Sequence, residues 1–255
     1  MSSTTWTPVA LSVEARPLEG QCWRLVEAQH RVSTLKLVDT LDEQDVLESL
    51  IEEAKPSVPV ECRHLHYLLS TPFRYGAAYP AGSRFRRAGL TEGVYYAAER
   101  PTTAVAEMAF YRLLFHAESP GTPWPSNPAE YTAFSAAYRT ARAIDLSGSA
   151  FAGDRTAWEH PTDYDASQQL AEQARSAGIE IIRYASIRDP DRGMNLTLLA
   201  CTVFTTSEPA AWQTWRIHLQ PSGVQAICEF PTMRLAFDRL TFAGDPRISG
   251  MRWDR

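Results

Sequence analysis

The stretch GVYYAAERPTTAVAEMAFYR, Gly93 to Arg112, changes its hydrophobic period half-way along. GVYYAA has the aromatic and small apolar character of a short strand. From Pro101 the apolar residues spread around a helical period, and proline in a first helical turn gives up an N–H that has no partner there anyway. Thr102 or Thr103 stands nearby as a local capper. The helix is apolar almost all round, which predicts burial. Glu107 interrupts it, with Ala104, Tyr111 and Leu114 three, four and seven residues away on the same face. An unpaired buried carboxylate costs several kcal/mol, on the order of a domain's whole stability margin. Two readings follow: a buried ion pair, with Arg24 or Arg112 as partner, or a carboxylate lining a polar cavity.

On either side of this stretch the strand and helix patterns do not alternate regularly. CWRLVEA reads as a first strand, after a loosely held arm over residues 1–20. DTLDEQDVLESLIEEAKP predicts an amphipathic helix with Val46, Leu47, Leu50 and Ile51 on one face, capped by Asp39 or Thr40 and stopped by Pro56. ECRHLHYLLSTP predicts a shorter helix ending before Pro72. FRYGAAYPAGSRFRRAGL reads as a loop or irregular strand, GTPWPSNPAEY as a proline-rich surface segment and ARAIDLSG as a short strand and turn. DASQQLAEQARSAG predicts a helix that Gly178 terminates. Strands follow in IEIIRYASI and LTLLACTVF. TWRIHLQPSGVQAICEFP predicts a hairpin with Trp215, Ile217 and Leu219 facing inward before its turn and Val224, Ala226, Cys228 and Phe230 after it. The expected architecture is one α+β domain over residues 21–255 with a curved mixed or antiparallel sheet flanked by helices.

The chain carries 44% hydrophobic and 22% charged residues, the balance of an ordinary globular protein, and its 255 residues suffice for a full core. A net charge of -5 argues against binding nucleic acid through a broad basic surface. No apolar run approaches the ~20 residues that span a bilayer, and the N-terminus lacks the basic and apolar regions of a signal peptide. Cys22, Cys62, Cys201 and Cys228 are scattered with no C-x-x-C pair, which predicts reduced thiols in a cytoplasmic protein. Cys62, His64 and His66 alternate in CRHLH, but a helix would splay them and no second ligand pair has zinc spacing, so no metal is expected. No G-x-S-x-G elbow and no phosphate-loop signature is present.

Ahead of Glu107 lies a cluster of arginines, Arg74, Arg84, Arg86 and Arg87, interleaved with Tyr75, Tyr79, Tyr95 and Tyr96. A guanidinium fork grips phosphate and a tyrosine ring stacks on a flat ring, so the set suits a ligand with both. At this point the sequence resembles the RES domain, the toxin half of a bacterial toxin–antitoxin pair. GSRFRRAG, GVYYAAE, TAVAE and RYASIRDPDRGMNLTLL occur in the family's order, between about Trp23 and Phe204. Matched residue by residue, the family arginine is Arg84, with Arg86 as a competitor. Its tyrosine is Tyr96, with Tyr95 adjacent, its glutamate Glu107, its serine Ser186 and its asparagine Asn195. Ser83 stands where the family's second glycine is usual, and the chain is longer than compact members, with extra sequence near 30–70 and 117–165.

The resemblance implies an ADP-ribosyltransferase-like fold and NAD as substrate, consumed by hydrolysis, by phosphorolysis or by ADP-ribose transfer to a protein. It also implies an Xre-like helix-turn-helix antitoxin that blocks the pocket, and it leaves room for a homodimer within that complex. Glu107 would stabilise positive charge on the ribose as nicotinamide leaves, Arg84 would hold the pyrophosphate, and Tyr96 would pack on the nicotinamide or its ribose. The Ser186 hydroxyl would reach a phosphate or the ribose, and Asn195 would orient the loop or a phosphate. Against these stands a catalytically idle binding protein in which Glu107 is only an ion-pair partner.

Overall fold

A computed structural model describes residues 6–27, 37–74, 82–89 and 92–254; Tyr75 and Tyr79 lie outside them. The strands are β1 (Arg16–Glu27), β2 (Tyr95–Ala98), β3 (Ala129–Asp145), β4 (Ile181–Ala185), β5 (Met194–Leu198), β6 (Trp212–Gln220), β7 (Gly223–Cys228) and β8 (Met233–Asp238). The helices are α1 (Pro8–Glu14), α2 (Leu41–Glu53), α3 (Tyr67–Arg74), α4 (Pro101–Glu118), α5 (Arg155–Trp158), α6 (Asp165–Ser176) and α7 (Pro246–Ser249). All eight strands form one sheet in the order β1-β2-β5-β4-β3-β6-β7-β8, and β1 also pairs with β3, so five strands close a ring. Among the described residues only the β3–β4 pairing is parallel, which makes the sheet mixed, as expected for this α+β chain.

Strand alternation decides what the ring encloses. Cys22, Tyr95, Ala97, Phe134, Ala136, Tyr138, Ile181, Leu196 and Leu198 share one buried cluster inside it. The alternate positions of the same strands, Tyr96, Ile182, Tyr184, Asn195 and Thr197, belong to the outer face. Across that face lies α4, in contact with β1, β2, β5, β6, β8 and α7. Val105, Ala106, Ala109, Phe110 and Leu113 are buried beneath it. The β6–β7 hairpin buries Trp215, Ile217, Leu219, Val224, Ala226 and Cys228 as its alternation predicts. Phe230 does not follow: the strand stops at Cys228 and the ring is exposed.

Other expectations are corrected. Residues 8–14 form α1, whose Leu11 is fully buried, and β1 begins at Arg16, so the part of the arm from residue 6 on is docked. The stretch read as an insertion over 117–165 supplies β3, the longest strand, which pairs with β1, β4 and β6; ARAIDLSG covers only its end. Thr40 caps α2 in a capping box with Glu43, but Val46, Leu50 and Ile51 are exposed and Gln44 is its buried residue. Helix α3 begins only at Tyr67 and runs through Pro72, because a proline in a last turn forfeits a single hydrogen bond before the helix stops. Of LTLLACTVF, only the start lies in a strand; Cys201–Val203 is a 3-10 turn.

The thiols are corrected too. Cys62 and Cys201 form a disulfide with a Cα–Cα distance of 5.8 Å, tying the turns at Val60–Cys62 and Cys201–Val203. It uses up the cysteine of CRHLH. Cys22 and Cys228 are free and buried, and burial pushes the Cys22 thiol up to about 12. Among the described residues no helix is long and apolar enough to cross a membrane.

Candidate active site

Glu107 sits two turns into α4, half-buried, where the helix crosses the ends of β4 and β5. Its Oε1 accepts two hydrogen bonds, from the Ser186 hydroxyl at 2.6 Å and from Asn195 Nδ2 at 2.6 Å. Neither arginine weighed as its partner reaches it. Arg24 donates to the Tyr96 carbonyl at 2.9 Å and lies over the Tyr95 ring, and Arg112 pairs with Glu27. No cation among the described residues forms an ion pair with Glu107. The carboxylate is oriented by two neutral donors on one oxygen, and its charge is left uncompensated.

The donors are themselves fixed. Asn195 lies opposite Tyr184 in the β4–β5 ladder and is buried, and its Oδ1 has no hydrogen-bond partner among the described residues. Ser186, fully buried, begins the loop after β4. Its Oγ accepts the backbone N–H groups of Arg188 at 3.1 Å and Asp189 at 3.0 Å while donating to Glu107. With three partners it serves to hold Glu107, and has no lone pair to spare for the ligand contact expected of it. The loop is pinned to the start of α4. Asp189 Oδ2 accepts the Thr103 hydroxyl at 2.7 Å and the Gly193 N–H at 3.2 Å, and the Gly193 carbonyl accepts the Ser186 N–H at 2.8 Å. Thr103 is thus a fully buried loop anchor and no cap; Arg100 is the N-cap residue, without a side-chain capping bond.

Arg84 occupies a tight turn closed by two backbone hydrogen bonds between Ser83 and Arg86. The Tyr96 hydroxyl shares a hydrogen bond with Ser83 Oγ at 2.9 Å and accepts the Phe85 N–H at 3.0 Å, fastening this turn to β2. Burial raises the Tyr96 hydroxyl above its ordinary pKa, against the pull of Ser83, so it stays protonated at neutral pH. Alternation separates the two tyrosines: Tyr95 faces the interior of the ring and Tyr96 the site. Arg84 itself donates to the Trp158 carbonyl at 2.5 Å, with its guanidinium 4.7 Å from the Tyr164 ring centre.

A scan against family models matches the RES domain over residues 58–220. The chain belongs to the RES domain family. Among solved structures, a chain of "Crystal structure of the M.tuberculosis MbcT-MbcA toxin-antitoxin complex" is similar at 12% identity and a TM-score of 0.44, covering 79% of this chain and 92% of that chain. No curated protein sequence matches at a significant level.

In this RES domain two more residues stand at the site that sequence reasoning did not single out. Tyr184 lies opposite Asn195 in the β4–β5 ladder, and its ring packs edge-on against Phe85 of the Arg84 turn, with ring centres 4.8 Å apart. Burial first, then the Glu107 carboxylate, push its pKa well above the ordinary range, which keeps it a neutral donor. Arg188 is buried, 3.7 Å from the Phe110 ring centre, and paired with Asp245. Both belong to the quoted RYASIRDPDRGMN, and the spacing of Tyr184 from Ser186 on one strand face was the available signal.

Proposed function

We propose that this RES domain degrades NAD, cleaving the bond between nicotinamide and ribose by hydrolysis or phosphorolysis, as the toxin of a pair neutralised by an Xre-like antitoxin. One observation carries the reading: Glu107 is held in a single orientation by Ser186 and Asn195 and has no cationic partner among the described residues. A carboxylate kept only for stability would be paired, because an unpaired charge in a partly buried site is costly. The idle binding protein, which needs Glu107 as an ion-pair partner, has no support in this geometry.

Nicotinamide in NAD is already a cationic leaving group, so its departure needs little help from a general acid, unlike ordinary glycoside cleavage. What develops is positive charge on the ribose. A fixed carboxylate beside that sugar is stabilising only as the charge appears, which lowers the barrier more than it tightens binding. Arg84, on its clamped turn, takes the pyrophosphate, and Tyr96 and Tyr184 supply the rims against which ribose and nicotinamide pack. Asn195 holds the Glu107 carboxylate in place through its Nδ2.

The test is incubation of purified, antitoxin-free protein with NAD, with and without inorganic phosphate. Loss of NAD and release of nicotinamide are expected; a phosphate requirement identifies phosphorolysis. Label from NAD on a macromolecule would instead identify ADP-ribose transfer to a protein, and intact NAD in every condition overturns the proposal. Within this reading Tyr96→Phe is expected to leave the Arg84 turn loose. Leaving the Phe85 N–H without its acceptor costs about 1–2 kcal/mol, so KM for NAD should rise about tenfold while kcat stays within about threefold. Steady-state kinetics check the split.

A further inference from the structure

The guanidinium nearest in sequence to Ser186 belongs to Arg188, and it raises a question that Glu107 alone does not answer. Arg188 is 6% exposed and lies on the Phe110 ring, one helical turn from Glu107. Its backbone N–H donates to Ser186 Oγ, which in turn donates to Glu107. A buried cation two residues from the serine that holds an uncompensated carboxylate needs a counter-ion of its own if it is not to pair with that carboxylate. It pairs instead with Asp245, at 3.0 Å, and also donates to the Pro161 carbonyl at 2.8 Å.

Asp245 is 1% exposed and caps α7. Its carboxylate accepts the Arg247 N–H at 2.9 Å and the Arg247 Nε and Nη2 at 3.0 and 2.8 Å, so with Arg188 it faces two guanidinium groups. It lies beyond residue 220, where the family match ends. We infer that Asp245 is a positioning residue for the active site: it is the counter-ion that keeps Arg188 off Glu107 and leaves the catalytic carboxylate unpaired. The inference rests on the NAD-cleaving reading and extends it to the C-terminal segment. A cation released from Asp245 would act twice, by occupying Glu107 and by opposing the positive charge that develops on the ribose.

The test compares four variants with wild type by kcat and KM for NAD and by thermal unfolding. Asp245→Asn keeps a capping side chain but removes the charge; Asp245→Ser does the same with a smaller group and is the fallback if the first does not fold. Each is expected to lower kcat at least tenfold with KM within about threefold. Adding Arg188→Met to Asp245→Asn removes the stranded cation that lies nearer to Phe110, 3.7 Å from its ring centre against 5.9 Å for Arg247, and should bring kcat back to within about threefold of wild type, a coupling that lost packing alone does not produce. Ile248→Ala, which removes a buried side chain of the same helix, should lower the unfolding temperature and leave kcat unchanged at temperatures where the protein is folded. Wild-type protein that leaves NAD intact overturns the functional reading, and this inference with it. Wild-type turnover with an unchanged kcat in the Asp245 variants, or an equal loss in the single and double variants, overturns the inference alone.

Discussion

Glu107→Gln is expected to reduce NAD turnover by about 10³-fold while the protein stays folded and still binds NAD. The substitution isolates charge from shape. Ser186 and Asn195 both donate to Oε1, and a glutamine carbonyl oxygen accepts the same two bonds. No ion pair is broken, because none exists among the described residues, so the unfolding temperature should move by no more than a few degrees. What disappears is a unit negative charge facing the ribose. Two unit charges about 4 Å apart interact by about 4 kcal/mol at an effective dielectric of about 20. That is worth about 10³ in rate, similar to the loss of one preorganised group in an oxyanion-type site. Ground-state binding to a ribose that does not yet carry the charge should change by a few-fold only. Circular dichroism, an NAD-binding isotherm and single-turnover measurement of nicotinamide release separate the three quantities. A Glu107→Gln protein that keeps a tenth or more of wild-type kcat would sink the electrostatic account, whatever its stability.

How much of this site could be read from the chain depended on whether the signal was local. Glu107 was visible because a single charge in an apolar helix is anomalous within a few residues. The β6–β7 hairpin was visible because its alternation is complete within one short stretch. Strand β3 was read only at its end: Ala133, Ala136, Ala137, Ala141 and Ala143 dilute its apolar alternation, and the burial of Ala133, Ala136 and Ala143 becomes evident only once the neighbouring strands lie beside them. The exposed Val46 and Leu50 of α2 show the reverse error, in which an amphipathic pattern was taken as proof of a core to receive it.

The rest of the constellation is set by contacts between distant segments. Motif resemblance named Ser186 and Asn195 together with Glu107, but not the bonds by which both donate to its carboxylate. That Ser186 spends its hydroxyl on Glu107 and on two backbone N–H groups follows from the course of the loop, which no propensity reports. Tyr95 and Tyr96 were indistinguishable in sequence, and one strand register separates them. The Cys62–Cys201 disulfide joins turns 139 residues apart, and Asp245 meets Arg188 from beyond the region where the motifs lie. Pairings of this kind depend on the assembled ring and have no counterpart in local pattern.

Gly193→Ala should damage stability and catalysis together, because the loop that carries Ser186 and leads into Asn195 has no room for a methyl group. A Cβ at this position would lie 2.1 Å from Thr103 Oγ1, 2.5 Å from Asp189 Oδ2 and 2.7 Å from Arg100 Nη2. The first two atoms are on short, buried side chains bonded to each other, so neither can rotate away without abandoning the bond that pins the loop to α4. Overpacking of this kind costs about 1–3 kcal/mol, and an orphaned Asp189 or Thr103 adds about 1–3 kcal/mol. A net loss of about 3 kcal/mol lowers the unfolding temperature of a domain of this size by roughly 6–12 °C. The catalytic loss has the same origin. The Gly193 carbonyl holds the Ser186 N–H, and Asn195 follows two residues later, so a displaced loop carries both donors off Glu107. A misplacement of about 1 Å in such a site is worth about 10²-fold in kcat. Thr103→Ala offers the check on cause. It removes the closest clashing atom, so the Gly193→Ala, Thr103→Ala double variant should be more active than Gly193→Ala alone, although Thr103→Ala by itself is destabilising. If Gly193→Ala unfolds within a degree of wild type and turns over NAD at the same rate, the loop is not what orients the carboxylate.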